Sequence, residues 1–297
     1  MSNDDILRYA LVTPARNEAD NLPRLATSVE HQNVPPAAWV IVDNGSTDAT
    51  AEIARGIAAK NRWASVISAP GERAATRGGP IARAFATGVQ HLPAVDVIVK
   101  LDADISFRPD HFERLMQRFG DDPSLGIASG TCFELDRGTW RPIYNSRNHV
   151  RGAVRAYRAA CLAEIAPLEE RMGWDSIDEM KAKIRGWRTM SFGDLPFFHH
   201  RTVGERDGSF GAWRAQGDLA HYLGYRPSYF LFKTLFRSVR QPAAVAMLSG
   251  YCTATVRRHP RYADEDVRRA LRREQRLREI PRRVREVRGA DGHPTTT

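Results

Sequence analysis

Four short apolar runs punctuate the first third of the chain: Tyr9 to Val12, Trp39 to Val42, the Val66–Ile67 pair within ASVIS, and Val95 to Leu101. Continuous runs rich in Val and Ile predict strands covered on both faces, because a half-solvated strand would alternate apolar and polar positions. Between the runs the spacing changes to the helical period. Leu22, Leu25 and Val29 recur through Ala19 to His31. Ile53 and Ile57 do so through Thr47 to Lys60, with Ser46 or Thr47 as N-cap, and Phe85, Val89 and Leu92 follow Ile81. Strands alternating with helices predict βαβ units and a parallel sheet flanked by helices.

Beyond position 105 the pattern loosens. A helix is expected over Pro109 to Phe119, strands over Ile127 to Leu135 and Val150 to Val154, a helix over Ser176 to Arg185, and a strand over Leu195 to His199. From Tyr225 the chain reads as helical, aromatic and basic, and from Ala263 to Arg288 it is almost all charge. The closing GADGHPTTT reads as a disordered tail.

Composition narrows the class. With 297 residues, 42% hydrophobic, the chain can bury a core and is not disordered as a whole. Its net charge of +9 suits an anionic partner without choosing among nucleic acid, lipid and a diphosphate. The 3 cysteines, Cys132, Cys161 and Cys252, lie far apart and form no CxxC pair, which argues for a reducing cytosol over a disulfide framework or a zinc ribbon. The start, MSNDDILRYA, is acidic and has no signal-peptide h-region. Pro242 to Val256 is the most apolar late stretch, but it carries Ser249, Thr253 and Thr255 and falls short of the ~20 residues of a membrane span.

Candidate chemistry gathers where the strands end, the edge at which open α/β sheets bind ligands. The first strand runs into Thr13-Pro14-Ala15-Arg16-Asn17-Glu18, which has no glycine and so cannot be a dinucleotide-binding turn. Its polar residues could hold a nucleotide or merely cap a loop. Asp43 ends the second strand and could accept hydrogen bonds from a base or ribose; an Asx turn is the other reading. The fourth strand ends in Asp102-Ala103-Asp104. Two carboxylates after an apolar strand repel one another, and a hard divalent cation holding diphosphate oxygens would relieve them. The glycines of Gly71 to Gly79, with Arg73 and Arg77, could cradle a phosphate, although a solvated loop is the commoner meaning. Farther on, Asp175 and Asp178 flank Ser176-Ile177, and His199 and His200 close a strand. Either aspartate could be a general base, and a histidine near a metal could be a ligand.

TPARNE, VDNGSTD, LDAD and GWDSIDEMKAKIRGW, in this order and spacing, resemble family 2 glycosyltransferases of the GT-A fold over roughly positions 8 to 200. The resemblance implies a GT-A nucleotide-diphospho-sugar transferase-like sheet, mostly parallel and flanked by helices, with a C-terminal helical extension. It divides the chain into a catalytic domain at 1–224 (nucleotide half 1–104, acceptor half 105–224), a basic extension at 225–288 and a tail at 289–297. It implies that Thr13 to Glu18 and Asp43 hold the nucleoside. Asp102, Ala103 and Asp104 become a DxD motif, with Asp104 the main metal ligand. His200 is the first choice of further ligand, His199 the alternate, and Asp175 is the base in preference to Asp178. HVRGAVRAYR resembles the segment lining the donor sugar. The sequence departs from the family's pattern in three places: Asn44 where many relatives have a second aspartate, Trp174 where a glutamate is usual, and Ser106 where some relatives have glutamine.

The expected activity is hexosyl transfer from a nucleoside-diphosphate sugar, a UDP-sugar first, to a sugar or lipid-linked acceptor, inverting and dependent on Mn²⁺ or Mg²⁺. It would serve polysaccharide, glycolipid or glycoconjugate synthesis. The expected setting is cytoplasmic, peripheral at the inner face of a membrane, because aromatics and cations interleave from Tyr225 to Arg237. Nucleic acid is not an expected partner. A sugar nucleotidyltransferase would need a glycine-rich basic loop after the first strand. A non-enzymatic membrane- or nucleic-acid-binding protein would use the basic tail alone.

Overall fold

Alternate residues of the first apolar run enter different cores, which is why it shows no polar position. In β1 (Tyr9–Ala15), Tyr9 and Leu11 join one buried cluster while Val12 joins another on the opposite face. In β2 (Ala38–Asp43), Trp39 and Ile41 face the first cluster, Val40 and Val42 the second. The computed structural model describes residues 7–69, 78–136, 138–143, 149–201, 209–239 and 241–276.

Helices α1 (Leu22–Glu30), α2 (Thr50–Lys60) and α3 (Gly79–Val89) connect β1, β2, β3 (Ala64–Ser68) and β4 (Val97–Leu101). The four strands pair parallel in the order β3-β2-β1-β4. Helix α3 lies close on β1 because residue 88 is glycine: a Cβ there would meet Val12 Cγ1 at 2.4 Å. Helix α2 begins at Thr50 without the expected Ser46 or Thr47 cap, since Ser46 Oγ instead accepts the Asn17 N–H at 3.1 Å.

The second part of the sheet is mixed. It comprises β5 (Ile105–Phe107), β6 (Leu125–Asp136), β7 (Thr139–Pro142), β8 (Val154–Arg158) and β9 (Arg188–His199). Helices α4 (His111–Asp121), α5 (Ala159–Ile165) and α6 (Trp174–Ile184) accompany them. Strand β8 runs antiparallel to both β4 and β6 and so joins the two parts. Strand β6 pairs parallel with β9, and β5 closes the edge against β9.

Two expectations need correction here. The strand expected at Val150 to Val154 begins where that range ends, because the polar VRAYR segment forms β8 with Arg155 fully buried. The strand expected at Leu195 to His199 starts at Arg188, its first residues being too polar to register as a strand.

The chain separates into two compact units, residues 1–201 and 202–297, whereas the sequence reading divided it after 224. The second unit contains α7 (Ser209–Tyr222), α8 (Pro227–Ser238), α9 (Ala246–Val256) and α10 (Glu265–Glu274). Helix α7 belongs with it because α7 and α9 touch backbone to backbone. A Cβ at Gly217 would lie 1.9 Å from the Met247 carbonyl oxygen, and one at Gly250 2.0 Å from that of Arg214. Phe230 stacks on Tyr251 with ring centroids 4.4 Å apart. The unit's small core holds Ala220, Phe230 and Met247. On α8, Leu231, Phe232, Leu235 and Phe236 form an exposed stripe at helical spacing, which Val239 continues at the helix's C-cap. Among the described residues no helix is long and apolar enough to cross a membrane.

Candidate active site at the strand ends

Parallel register brings the loop after β1 beside the end of β2, with Ala15 opposite Asp43. The loop is tied down by polar contacts. Asn17, at a positive φ of 55°, accepts the Thr47 N–H at 2.8 Å through Oδ1. Glu18 donates its N–H to Thr50 Oγ1 at 2.7 Å. Arg16 is exposed at the rim. Thr13 and Ala15, grouped with this loop in the sequence reading, turn into the protein. Thr13 Oγ1 accepts the indole N–H of Trp39 at 2.9 Å, Ala15 sits in the core, and Pro14 between them is half-buried. Asp43 makes the Asx turn, accepting the Ser46 N–H at 3.2 Å with Oδ1. Arg73 and Arg77 lie outside the described residues.

The two carboxylates after β4 have different neighbours. Asp102 is paired with the buried ammonium of Lys100, which also donates to the Gly152 carbonyl at 2.8 Å and lies 5.9 Å from the Trp174 ring centroid. Burial and the charge of Asp104 push the Asp102 carboxyl up, against the pull of Lys100. Ala103 between them is buried in the core.

Asp104 meets two cationic side chains at looser distances, His199 Nε2 at 3.3 Å from Oδ1 and Arg201 Nη1 at 3.4 Å from Oδ2. Burial would raise its carboxyl, but His199 and Arg201 override it and hold it low. Burial also favours the neutral His199 ring, yet Asp104 and Glu134 raise it to about 9. Arg201 reaches back to Glu18 in a bidentate pair at 2.8 and 2.6 Å, so it ties the β1 loop to Asp104.

The two histidines have different partners. His200 Nε2 contacts Ser106 Oγ at 2.7 Å and its ring packs on Trp140, while His199 faces Asp104. Antiparallel pairing of β5 with β9 sets Ile105 opposite His199, so the residue before Ile105 comes beside that ring.

Asp175 and Asp178 are separated just as sharply. Asp178 is buried, with Oδ1 2.5 Å from Arg155 Nη2 and Oδ2 taken by Arg155 Nε at 3.2 Å and by the Tyr157 hydroxyl. Burial pushes its carboxyl up to about 7 against the pull of Arg155, a value that would suit a base, but neither oxygen is open to an acceptor. Asp175 is half-buried at the start of α6; Oδ1 accepts the Ser176 N–H at 2.9 Å. Its Oδ2 lies 3.9 Å from where a Cβ on Gly152 would stand, beside the Lys100 contact.

Lys100, Glu134, Arg155 and Arg201 were not assigned roles from sequence. Arg201 follows the His199-His200 pair directly, so its place was visible, whereas Arg155 and Lys100 are charges inside strands that give no sequence signal of their partners.

A half-parallel, half-mixed sheet with acidic residues at the strand ends defines the GT-A architecture of glycosyltransferases. The description Glycosyl transferase family 2 matches residues 10–165, and the chain belongs to that family. Solved structures agree on the fold. A mannosyltransferase from Pyrobaculum calidifontis, PcManGT, in complex with GDP-Man and Mn²⁺, is 15% identical, with a TM-score of 0.58 over 96% of this chain and 86% of that one. S. aureus TarS (residues 1–349) with UDP-GlcNAc is 17% identical at a TM-score of 0.54, over 71% of this chain and 66% of that one. GalNAc-T7 with UDP, GalNAc and Mn²⁺ is 14% identical at 0.56, over 72% of this chain and 48% of that one.

Proposed function

We propose that this glycosyltransferase moves a sugar from a nucleoside-diphosphate donor, a UDP-sugar first, to a hydroxyl of a sugar or lipid-linked acceptor, with inversion. The product would be a polysaccharide, glycolipid or glycoconjugate. The observation that carries the reading is Asp104, a carboxylate at the ligand-binding edge whose only cationic contacts among the described residues are His199 and Arg201 at 3.3 and 3.4 Å. An oxygen and an imidazole nitrogen at this spacing, with Asp102 two residues away, fit a divalent cation such as Mn²⁺ or Mg²⁺. When bound, the cation would supply charge neutralisation for the departing diphosphate.

The chain's own residues do the rest. Asp43 and the Arg16-Asn17-Glu18 loop orient the nucleoside. Arg73 and Arg77 are proposed for the diphosphate. Lys100 takes the charge of Asp102 and leaves Asp104 as the stronger metal ligand, with His199 ahead of His200 beside it. Asp175 takes the proton from the acceptor hydroxyl, since Asp178 is occupied by Arg155 and Tyr157.

Thermal shift with UDP and GDP, each with Mn²⁺, Mg²⁺ or chelator, tests the reading. A hundredfold excess over Kd should add about 2.7 kcal/mol of stability, only with metal, and the gain should vanish in Asp104→Ala. If no nucleoside diphosphate stabilises the wild type with either cation, the reading fails.

We also propose peripheral attachment at the cytoplasmic face of a membrane. Support comes from the exposed Leu231, Phe232, Leu235, Phe236 and Val239 stripe on a helix that also carries Lys233 and Arg237. Lys233 and Arg237 pack over the Tyr225 and Trp213 rings at 5.1 and 5.4 Å, so the apolar stripe is expected to carry most of the attachment. Co-sedimentation with anionic vesicles at low salt, lost in Phe232→Ser/Phe236→Ser, is the expected result. Equal recovery of both proteins in the supernatant would remove the membrane.

A further inference from the structure

One cluster beside the proposed donor site shares His199 with it and adds two side chains, Cys132 and Glu134, that have no part in sugar transfer. Cys132 and Glu134 are two apart on β6 and share a face, and the pairing of β6 with β9 sets Glu134 opposite His199. A thiol sulfur, a carboxylate oxygen and an imidazole nitrogen therefore converge, all within 4.8 Å of one another. The His199 ring has two different sides. Its Nε2 faces Asp104 at 3.3 Å, while Nδ1 is buried without a hydrogen bond, 3.7 Å from Glu134 Oε1. Ligands ~2.0–2.3 Å from a tetrahedral zinc stand roughly 3.5 Å from one another, so this spacing needs little adjustment. Glu134 also meets Arg151 Nη2 at 3.4 Å, a contact loose enough to yield one oxygen.

We propose that Cys132 Sγ, Glu134 and His199 Nδ1 form a thiophilic metal site, that Zn²⁺ is its ion, and that its occupation inhibits sugar transfer. A thiolate and an imidazole select Zn²⁺ over the hard cations Mg²⁺ and Mn²⁺. On binding, the Cys132 thiol proton leaves to solvent and an open fourth position takes water. A metal on Nδ1 fixes the ring proton on Nε2, so His199 can no longer offer a lone pair toward Asp104. The two metals thus compete for one imidazole. The inhibitory half rests on the proposed role of His199 in donor binding; the metal site itself does not.

Co²⁺ titration of the full chain tests the site by itself. A near-ultraviolet thiolate-to-Co²⁺ band should appear at one equivalent and be bleached by Zn²⁺. It should persist in Asp104→Ala and in Cys252→Ser and be lost in Cys132→Ser. Glu134→Gln, which leaves the buried thiol in place, should raise the Co²⁺ needed by about tenfold or more. Absence of the band in the wild type, or its survival in Cys132→Ser, overturns the site. In the Mn²⁺-supported reaction, Zn²⁺ should inhibit the wild type at concentrations at least tenfold below those that affect Cys132→Ser. Equal inhibition of both overturns the regulatory half. A chain with the band but no transferase turnover would defeat the functional reading and leave the zinc site standing.

Discussion

Two clusters of opposite charge lie in the first unit, and they are built in different ways. Around Arg155 the partners are saturated: Asp178, Tyr157, the Val150 carbonyl and the Asp175 carbonyl take up the guanidinium, and none of the side-chain atoms involved reaches solvent to any useful extent. Around Asp104 the carboxylate's own contacts, to His199 at 3.3 Å and Arg201 at 3.4 Å, are longer, Arg201 is shared with Glu18, and Arg201 remains 23% exposed. The first arrangement leaves no donor or acceptor to offer a ligand, and breaking it exposes a buried charge. The second can release its cations to another cation without leaving a charge stranded. The same physical groups therefore serve a packing role in one place and a binding role in the other, and the difference lies in how completely each is satisfied.

The sharpest way to break this comparison is to remove one carboxylate from each cluster. Asp178→Ala leaves Arg155 charged and buried and should cost about 3–5 kcal/mol, lowering Tm by roughly 10 °C. Asp104→Ala, from the looser cluster, leaves Arg201 paired with Glu18 and relieves the repulsion on Asp102, so it should destabilise the protein less than Asp178→Ala while removing metal-dependent binding of nucleoside diphosphate. Urea unfolding and thermal melts of the two variants measure both effects. Equal destabilisation would mean that the Asp104 cluster is as structural as the other.

The next comparison lies within one helix. Asp175→Asn should lower kcat about 10²–10³-fold and leave donor affinity within about twofold, because the residue is proposed to act only on the acceptor proton. Turnover of a UDP-sugar beside UDP binding by calorimetry gives both numbers. Normal turnover in this variant would remove Asp175 as base and return attention to Asp178, whose burial would then have to open during the reaction.

What could be read from the chain alone follows the same division. The nucleotide half was legible because its strands are apolar on both faces, as Leu11 against Val12 and Trp39 against Val40 show. The carboxylates at the strand ends were legible because polar residues after apolar runs have few other uses. Strand β8 was misplaced because it carries Arg155 inside it, and burial of a charge depends on Asp178, which stands 23 residues away in sequence. Which of His199 and His200 comes beside Asp104 depends on which residue of β9 lies opposite Ile105, a register that no local pattern encodes. The register of β6 on β9 likewise hides Cys132 and Glu134 as neighbours of His199. The boundary between units was set by Gly217 and Gly250, whose close approach is a tertiary fact.

The smallest expected effect separates the buried network from the rest of the protein by pH. Burial would raise the Glu179 carboxyl, but the His149 hydrogen bond at 3.1 Å, Lys183 at 2.9 Å and Arg155 bring it down to about 2, from an ordinary 4.5. A carboxylate with a depressed folded-state pKa contributes stability that is complete above 4.5 and lost as pH falls toward 2. The shift corresponds to roughly 3 kcal/mol. His111 titrates in the neighbouring window. Burial pushes its imidazole down from 6.5 to about 4, so the folded state resists protonation and stability falls as pH drops through that range. That loss is common to wild type and Glu179→Gln and cancels in their difference. The measurement is the gap in unfolding free energy between the two proteins at a series of pH values. It should stay near roughly 3 kcal/mol above pH about 5 and close as pH approaches about 2. A gap that does not change with pH would mean that Glu179 supports Val150 and His149 by shape and hydrogen bonding alone, and that the charge around Arg155 is balanced by Asp178 without it.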